Sequence, residues 1–344
     1  MPAYQIVLII IAATAALIAS AALALYFRLP QIFVKKTSAV FDNGDLKKPS
    51  DYDNYERRVK RIENIAYDTR LPNGFYDLYL PDTENGPDSL PVIFWIHGGG
   101  FTAGTKDGTQ VLCTMLCSEG YAVVSTDYAY APEYKFPTVT KQIADAVSSL
   151  KELKKSYPEL DLQKVIICGD SAGGHYCAQY AAAHTNKRYA DALGVKAADV
   201  NLAGVILCCA PLDIATMLPP ANFKLKLLAD TFFNGYFGFS PKKKKRGKEL
   251  SALREYVTKD FPPSFITDGN TYSFENQNRD FGKCLVQLGV KTDELYFDKQ
   301  IFGTVNHEYL FELDTERAAD GYKQLTEFLK TLLTNFTKTQ SSLQ

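Results

Sequence analysis

A chain of 344 residues with 46% hydrophobic and 22% charged residues has enough apolar mass for a sizeable folded core. Its formal net charge of −1 gives no global attraction to polyanions, which argues against a non-specific nucleic-acid binder. The seven cysteines are odd in number and lie mostly in apolar runs such as "KVIICGD" and "GVILCCAP", so they read as small core residues of a reducing compartment.

The first segment is distinct. Ile6 to Phe27 is a run of 22 residues without a charge, enough to cross a bilayer as a helix at roughly 1.5 Å per residue. "ALA" at Ala22 to Ala24 resembles the cleavage site of a signal peptide, but no Lys or Arg precedes the apolar run as an n-region requires. A single-pass anchor over residues 1–30 is therefore expected over a cleaved signal. Arg28, Lys35 and Lys36 follow the span, which places the body of the protein in the cytoplasm. The sequon Asn335-Phe336-Thr337 points the other way and is outweighed by those charges and the odd cysteines.

A polar connector over 31–60 leads into alternating apolar runs and amphipathic segments. "IENIAY", "GFYDLYL" and "PVIFWIH" read as strands, followed by a helix from Gln110 and the strand "YAVVSTDY". A helix from about Val139 to Lys155, the strand "KVIICGD", a small-residue helix from Ala172 and the strand "LAGVILCCA" continue the rhythm. Near-continuous Val/Ile/Leu strands alternating with helices predict an α/β domain, its mainly parallel sheet covered on both faces. The rhythm breaks between Asp213 and Asp260, where helical patterning without a clear strand predicts an inserted cap over about 214–258. "PSFITD", a helix from about Glu275 to Leu288, "DELYFD" and a helix from about Thr315 to Leu333 complete a domain over 61–336, with a polar tail at 337–344.

Chemistry concentrates in two glycine-rich turns. In "CGDSAGGH", Gly169, Ser171 and Gly173 satisfy G-x-S-x-G between a strand and a helix, where small residues permit a strained turn that exposes the Ser hydroxyl and the helix N-terminus faces developing negative charge. "WIHGGGF", after its own strand, offers successive backbone amides of the kind that stabilise an alkoxide during acyl transfer. Gly99, Gly100 and Ala172 are the expected oxyanion donors. A Ser needs a base, and four His are available. His97 belongs to the glycine loop, His184 is about 20 Å along the helix from Ser171, and His175 is one rigid turn away. His307, in the loop before the last helix, completes the order Ser, acid, His.

"HGGGF", "DYAYAPEYKFP" and "GDSAGG" together resemble the hormone-sensitive-lipase-like branch of the α/β-hydrolase family, carboxylesterases that include the arylacetamide deacetylases. The resemblance runs from about Pro91 to Phe311. It implies an eight-stranded mostly parallel sheet, a cap that shapes the acyl pocket, a Ser-acid-His triad, and hydrolysis of small esters without metal or cofactor. It also implies an acid where Tyr272 stands, and Tyr cannot accept the imidazole N–H as a carboxylate does. Asp268, at the expected end of the seventh strand, is the first candidate to replace it; Glu275 at the start of the next helix and Asp213 after the sixth strand are alternatives.

Three further features remain open. Cys113 and Cys117 lie four residues apart with no further ligand at metal spacing. The cap aromatics Phe232, Phe233, Tyr236 and Phe237 suit an apolar acyl pocket or plain packing. The run Lys242 to Arg246, "KKKKR", suits a solvated loop face or, beside an anchor, an anionic lipid surface. The expected function is serine-dependent hydrolysis of small or medium acyl esters, with a deacetylase or amidase using the same triad, or an inactive membrane-anchored binding protein, as alternatives. A small-molecule ester and the membrane are the expected partners, with no nucleic acid; oligomeric state is not fixed by the sequence.

Overall fold

The computed structural model describes residues 2–41, 46–82, 89–217 and 222–341. In chain order the elements are α1 (Ala3–Phe41), α2 (Tyr52–Glu56), β1 (Val59–Ala66), β2 (Phe75–Pro81), β3 (Leu90–Ile96), α3 (Gln110–Ser118), β4 (Ala122–Thr126), α4 (Thr138–Ser148), α5 (Leu150–Ser156) and β5 (Leu160–Asp170). They continue with α6 (Ser171–Thr185), α7 (Lys187–Leu193), β6 (Leu202–Cys208), α8 (Phe223–Phe237), α9 (Pro241–Leu250), β7 (Ser264–Thr267), α10 (Glu275–Gln287), β8 (Thr292–Leu295), α11 (Lys299–Phe302) and α12 (Glu316–Ser341).

The eight strands form one sheet in the order β1-β2-β4-β3-β5-β6-β7-β8. β2 pairs antiparallel with β1 and β4, and the remaining neighbours run parallel. Successive residues of a strand point to opposite faces, and the sheet therefore carries two cores. Val92, Phe94 and Ile96 of β3 join the core under α4, α6 and α8, while Ile93 and Trp95 join the core under α3 and α12. From β3 the chain winds first to β4 and then back across to β5 on the other side. That reversal leaves a crevice beyond the carboxyl ends of β3 and β5, the place where open parallel sheets hold their ligands.

The helix after β5 opens on small residues for a geometric reason. Ser171 to Ala183 of α6 are buried, and an added Cβ at Gly173 would land on the carbonyl oxygens of Ile96 and His97. Only a residue without a side chain lets α6 lie this close to β3.

Several elements differ from the sequence expectation. α1 does not stop at residue 30 but continues to Phe41, because Gln31 to Phe41 holds no Gly or Pro to end it; the 31–60 connector thus holds the end of α1, then α2 and the start of β1, with 42–45 outside the described residues. The expected helix 139–155 is two helices, parted at Ser149, where the Ser148 and Ser149 hydroxyls donate back to the carbonyls of Ala144 and Ala146. The region about 214–258 carries α8 and α9, with 218–221 outside the described residues. Lys242 to Arg246 lies on α9 and not on a loop, since Ser240 caps that helix by accepting the Lys243 amide and Pro241 opens its first turn. α12 runs to Ser341 and takes in much of the expected tail, whose residues 342–344 are outside the described residues.

We expect Gly173→Ala to cost about 3 kcal/mol or more in unfolding free energy, because backbone and not a mobile side chain occupies the space. Gly108→Ala, where an added Cβ meets nothing within 4 Å, stays within about 1 kcal/mol. Denaturant unfolding of the two purified variants beside the parent chain measures the difference.

Candidate active site

β5 ends at Asp170 in extended backbone and α6 begins at Ser171, whose φ of +46° lies in the left-handed region. Holding a non-glycine residue there costs about 1–2 kcal/mol, and the sharp turn lifts the side chain off the sheet edge. Ser171 Oγ lies 2.9 Å from Nε2 of His307. His307 comes from the loop after β8 and α11, which is fixed by its amide donating to the Thr271 carbonyl at 3.0 Å and by a bridge between Thr271 and Asn306. The edge-on ring of Phe274, 5.3 Å away between centroids, holds the imidazole plane.

On the far side of the imidazole, Nδ1 is 3.8 Å from Oδ1 of Asp268. That is an ion-pair separation, longer than a hydrogen bond, and Nδ1 has no hydrogen-bond partner among the described residues. Asp268 follows β7 directly and is fully buried. Its carboxylate accepts from the amides of Gly269 and Phe274, both at 2.8 Å, and from Nδ2 of Asn278 at 3.2 Å. These three donors hold a buried charge in a fixed orientation. Burial alone would lower the basicity of His307, but the pull of Asp268 and the nearby charge of Glu308 outweigh it and raise the pKa above its ordinary 6.5.

The alternative acids stand elsewhere. Glu275 opens α10 and pairs with Arg279 at 2.7 Å, one turn along the same helix. Asp213 lies beyond the end of β6, bridges to Ala252, and spends Oδ1 on the amide of Ala215 at 2.9 Å, a turn-capping use. Tyr272 is 91% exposed at a φ of +54°, so the chain turns outward at the position where the family resemblance implied the acid.

Gly99 and Gly100 follow β3 with φ of +119° and +60°. Among the described residues no hydrogen bond engages either amide, and the Ala172 amide lies in the first turn of α6, where no carbonyl of the helix can reach it. The loop is held from both sides. The Gly99 carbonyl accepts from the amides of Thr102 and Ala103, and Phe101 packs its ring on Tyr236 and Phe232 of α8. His97 stacks on Tyr128 and its Nδ1 is 2.5 Å from the Gly98 carbonyl. Nδ1 of His175 is 2.8 Å from the Pro211 carbonyl. Burial pushes both imidazoles down to about 4, so both stay neutral as structural groups.

Sequence reasoning passed over two carboxyl groups that flank the reacting pair. Asp170 precedes Ser171 and Glu308 follows His307, and an added Cβ at Gly98 would meet both. Asp170 accepts from Nε1 of Trp95 at 2.7 Å and from the Gly98 amide at 2.6 Å. Burial, then the charge of Glu308, pushes the Asp170 carboxyl well above the usual carboxylate range. Their adjacency to Ser171 and His307 is visible in the sequence; that they face each other requires the fold.

Cys209 Sγ, an Asp268 oxygen and a His307 nitrogen lie within 4.8 Å of one another. Asp268 is already engaged by three N–H donors, and burial, with the charge of Asp268, pushes the Cys209 thiol well above its ordinary range. That donor set is poorly suited to a cation. Cys113 and Cys117 are buried on α3, free and without further ligands among the described residues.

The BD-FAE family matches residues 76–276. A stretch of 101 residues is 38% identical to Lipase 2 of Moraxella sp. (strain TA144), covering 28% of this chain and 23% of that protein. Another of 98 residues is 32% identical to the ethyl acetate hydrolase of Pseudomonas putida, covering 28% of this chain and 30% of that protein. The match thus spans less than a third of either relative. Among solved structures, an inhibited esterase B from Lactobacillus rhamnosis superposes with a TM-score of 0.72 at 20% identity, over 96% of this chain and 99% of that one. An esterase from Pyrobaculum calidifontis gives 0.61 at 21% identity, over 90% and 98%. The fold is the α/β-hydrolase fold.

Asp268→Asn is expected to lower kcat about 10³- to 10⁴-fold toward a short p-nitrophenyl ester, while Glu275→Gln and Asp213→Asn stay within a few-fold. Equal losses at all three would remove Asp268 from its special place. Because Glu308 helps raise His307, Glu308→Gln should shift the acid limb of the kcat/KM profile to lower pH. The imidazole must be neutral to act as base, so in the parent chain activity falls as pH drops through a value above 6.5.

Proposed function

The chain belongs to the BD-FAE family, and on that premise we propose that it hydrolyses small or medium acyl esters with Ser171 as nucleophile, His307 as base and Asp268 as the acid that orients His307. The observation that carries this reading is the 2.9 Å approach of Ser171 Oγ to His307 Nε2, with a buried carboxylate on the opposite edge of the ring. The Oγ proton passes to Nε2 as Oγ bonds to the ester carbonyl carbon. The carbonyl π electrons move to oxygen, and the amides of Gly99, Gly100 and Ala172 receive the alkoxide, worth about 3–4 kcal/mol per donor. Collapse breaks the C–O bond, and His307 returns the proton to the leaving alkoxide. Water, deprotonated by His307, then attacks the acyl-enzyme and releases the carboxylic acid.

Asp268 keeps the correct tautomer and stabilises the imidazolium without itself taking the proton. The region about 214–258, with the buried rings of Phe232, Phe233, Tyr236 and Phe237 on α8, is the proposed cap over the acyl side. Tyr4–Ile32 of α1 is long and apolar enough to cross a membrane, and we propose that it anchors the chain with the hydrolase domain on the cytoplasmic side.

A fluorophosphonate probe should form a covalent adduct at Ser171 of the purified chain and none with Ser171→Ala, whose kcat falls about 10⁵- to 10⁶-fold. Lack of an adduct on the folded parent chain would instead make this a binding protein on a hydrolase fold. A panel of matched esters, acetylated sugars and amides then ranks the acyl-transfer classes by kcat/KM.

A further inference from the structure

The ester chemistry makes no use of a groove of about 930 Å³ between Lys135–Thr138 and helix α9. Its cations are Lys135, Lys242, Lys243 and Arg246, its aromatic walls include Phe237 and Phe239, and among the described residues no carboxylate lines it. Lys242, Lys243 and Arg246 are exposed. The chain as a whole carries a charge of −1, so this is a local concentration of positive charge and not part of a basic protein.

Its position relative to α1 identifies a ligand. The ring of Phe239, a wall of the groove, packs on Tyr26 and Phe27 of α1 at 5.4 and 4.6 Å between centroids. Asn234 of α8 donates to the Tyr26 hydroxyl at 3.0 Å and accepts from Nζ of Lys244 on α9 at 2.9 Å. These contacts fall near the end of the apolar stretch Tyr4–Ile32, next to Arg28, where aromatic and basic residues of a spanning helix meet the headgroup layer. Cations beside the headgroup end of a spanning helix match an anionic lipid surface.

We propose that this groove binds the phosphate-bearing headgroup of an anionic membrane phospholipid through Lys135, Lys242, Lys243 and Arg246. The site rests on α1 spanning the membrane and is independent of the ester chemistry. Bound lipid would fix α9, and through α8 the Phe101 side of the glycine loop, at the bilayer surface.

The test uses the full chain, with Ser171→Ala in parallel, reconstituted into phosphatidylcholine vesicles that carry photoreactive phosphatidylserine or photoreactive phosphatidylcholine. Flotation first establishes that the chain resides in the vesicles; a chain that stays in solution overturns both the anchor and this site. We expect adducts on residues 135–138 and 237–247 with the serine lipid in excess of the choline lipid, alike in parent and Ser171→Ala. Lys242→Gln, Lys243→Gln and Arg246→Gln should each lower that labelling about fivefold. Lys245→Gln, exposed on the same helix but outside the groove, should leave it unchanged. Equal labelling by the two lipids, or labelling that survives all three substitutions combined, overturns the proposal. Displacement by inorganic phosphate at matched ionic strength also overturns it, in favour of a free-phosphate site.

Discussion

The site depends on a meeting of three loops at the α-carbon of Gly98. The Gly98 amide donates to Asp170, whose neighbour in sequence is Ser171, and Asp170 faces Glu308, whose neighbour is His307. The glycine loop, the nucleophile turn and the histidine loop are thus fastened one residue away from each reacting group. Asp170 is buried and Glu308 half-buried, and at this proximity the two carboxyl groups would repel if both were charged. Burial, then the charge of Glu308, pushes the Asp170 carboxyl well above the usual carboxylate range, which favours its neutral form and relieves that repulsion. The requirement for glycine at 98 follows from the same geometry, since any side chain would separate the pair.

The rest of the fold delivers these loops to one place. Parallel strands put the ends of β3, β5, β6 and β7 on one edge, and the reversal of strand order at β3 and β5 opens the crevice there. Small residues on α6 let the helix approach the sheet closely, so that Ala172 stands beside the glycine loop without an intervening layer. Burial of Asp268 with three N–H donors supplies a fixed negative charge near His307 without solvent competing for it.

Much of this was legible in the residues. "HGGGF" and "GDSAGG" carry their own physical logic, because consecutive glycines and a strand-to-helix Ser have few other uses in that order, and the strand and helix rhythm around them announces the sheet. The acid was harder to read. Asp268, Glu275 and Asp213 all lie near strand or helix ends, and only three-dimensional placement separates a carboxylate facing an imidazole from one paired with Arg279 or closing a turn. The Asp170–Glu308 contact joins residues 138 apart, as the numbering shows, and no local pattern announces it. The length of α1 could not be read from hydropathy, which marks where the apolar run stops, whereas the helix continues through Pro30 to Phe41.

The packing of Tyr26 and Phe27 on Phe239, and of Tyr26 on Asn234, gives α1 a second office besides the anchoring proposed for it. α8 carries Asn234 on the side toward α1 and Phe232 and Tyr236 against Phe101 of the glycine loop. With α1 in a bilayer as proposed, a change in its tilt or depth, such as a thicker or thinner bilayer imposes, would be carried mechanically to the loop proposed to offer the oxyanion amides. Under the proposed function, bilayer thickness would become a tuning variable of the hydrolase, and a version trimmed of its first helix would differ from the full chain in catalysis as well as in solubility.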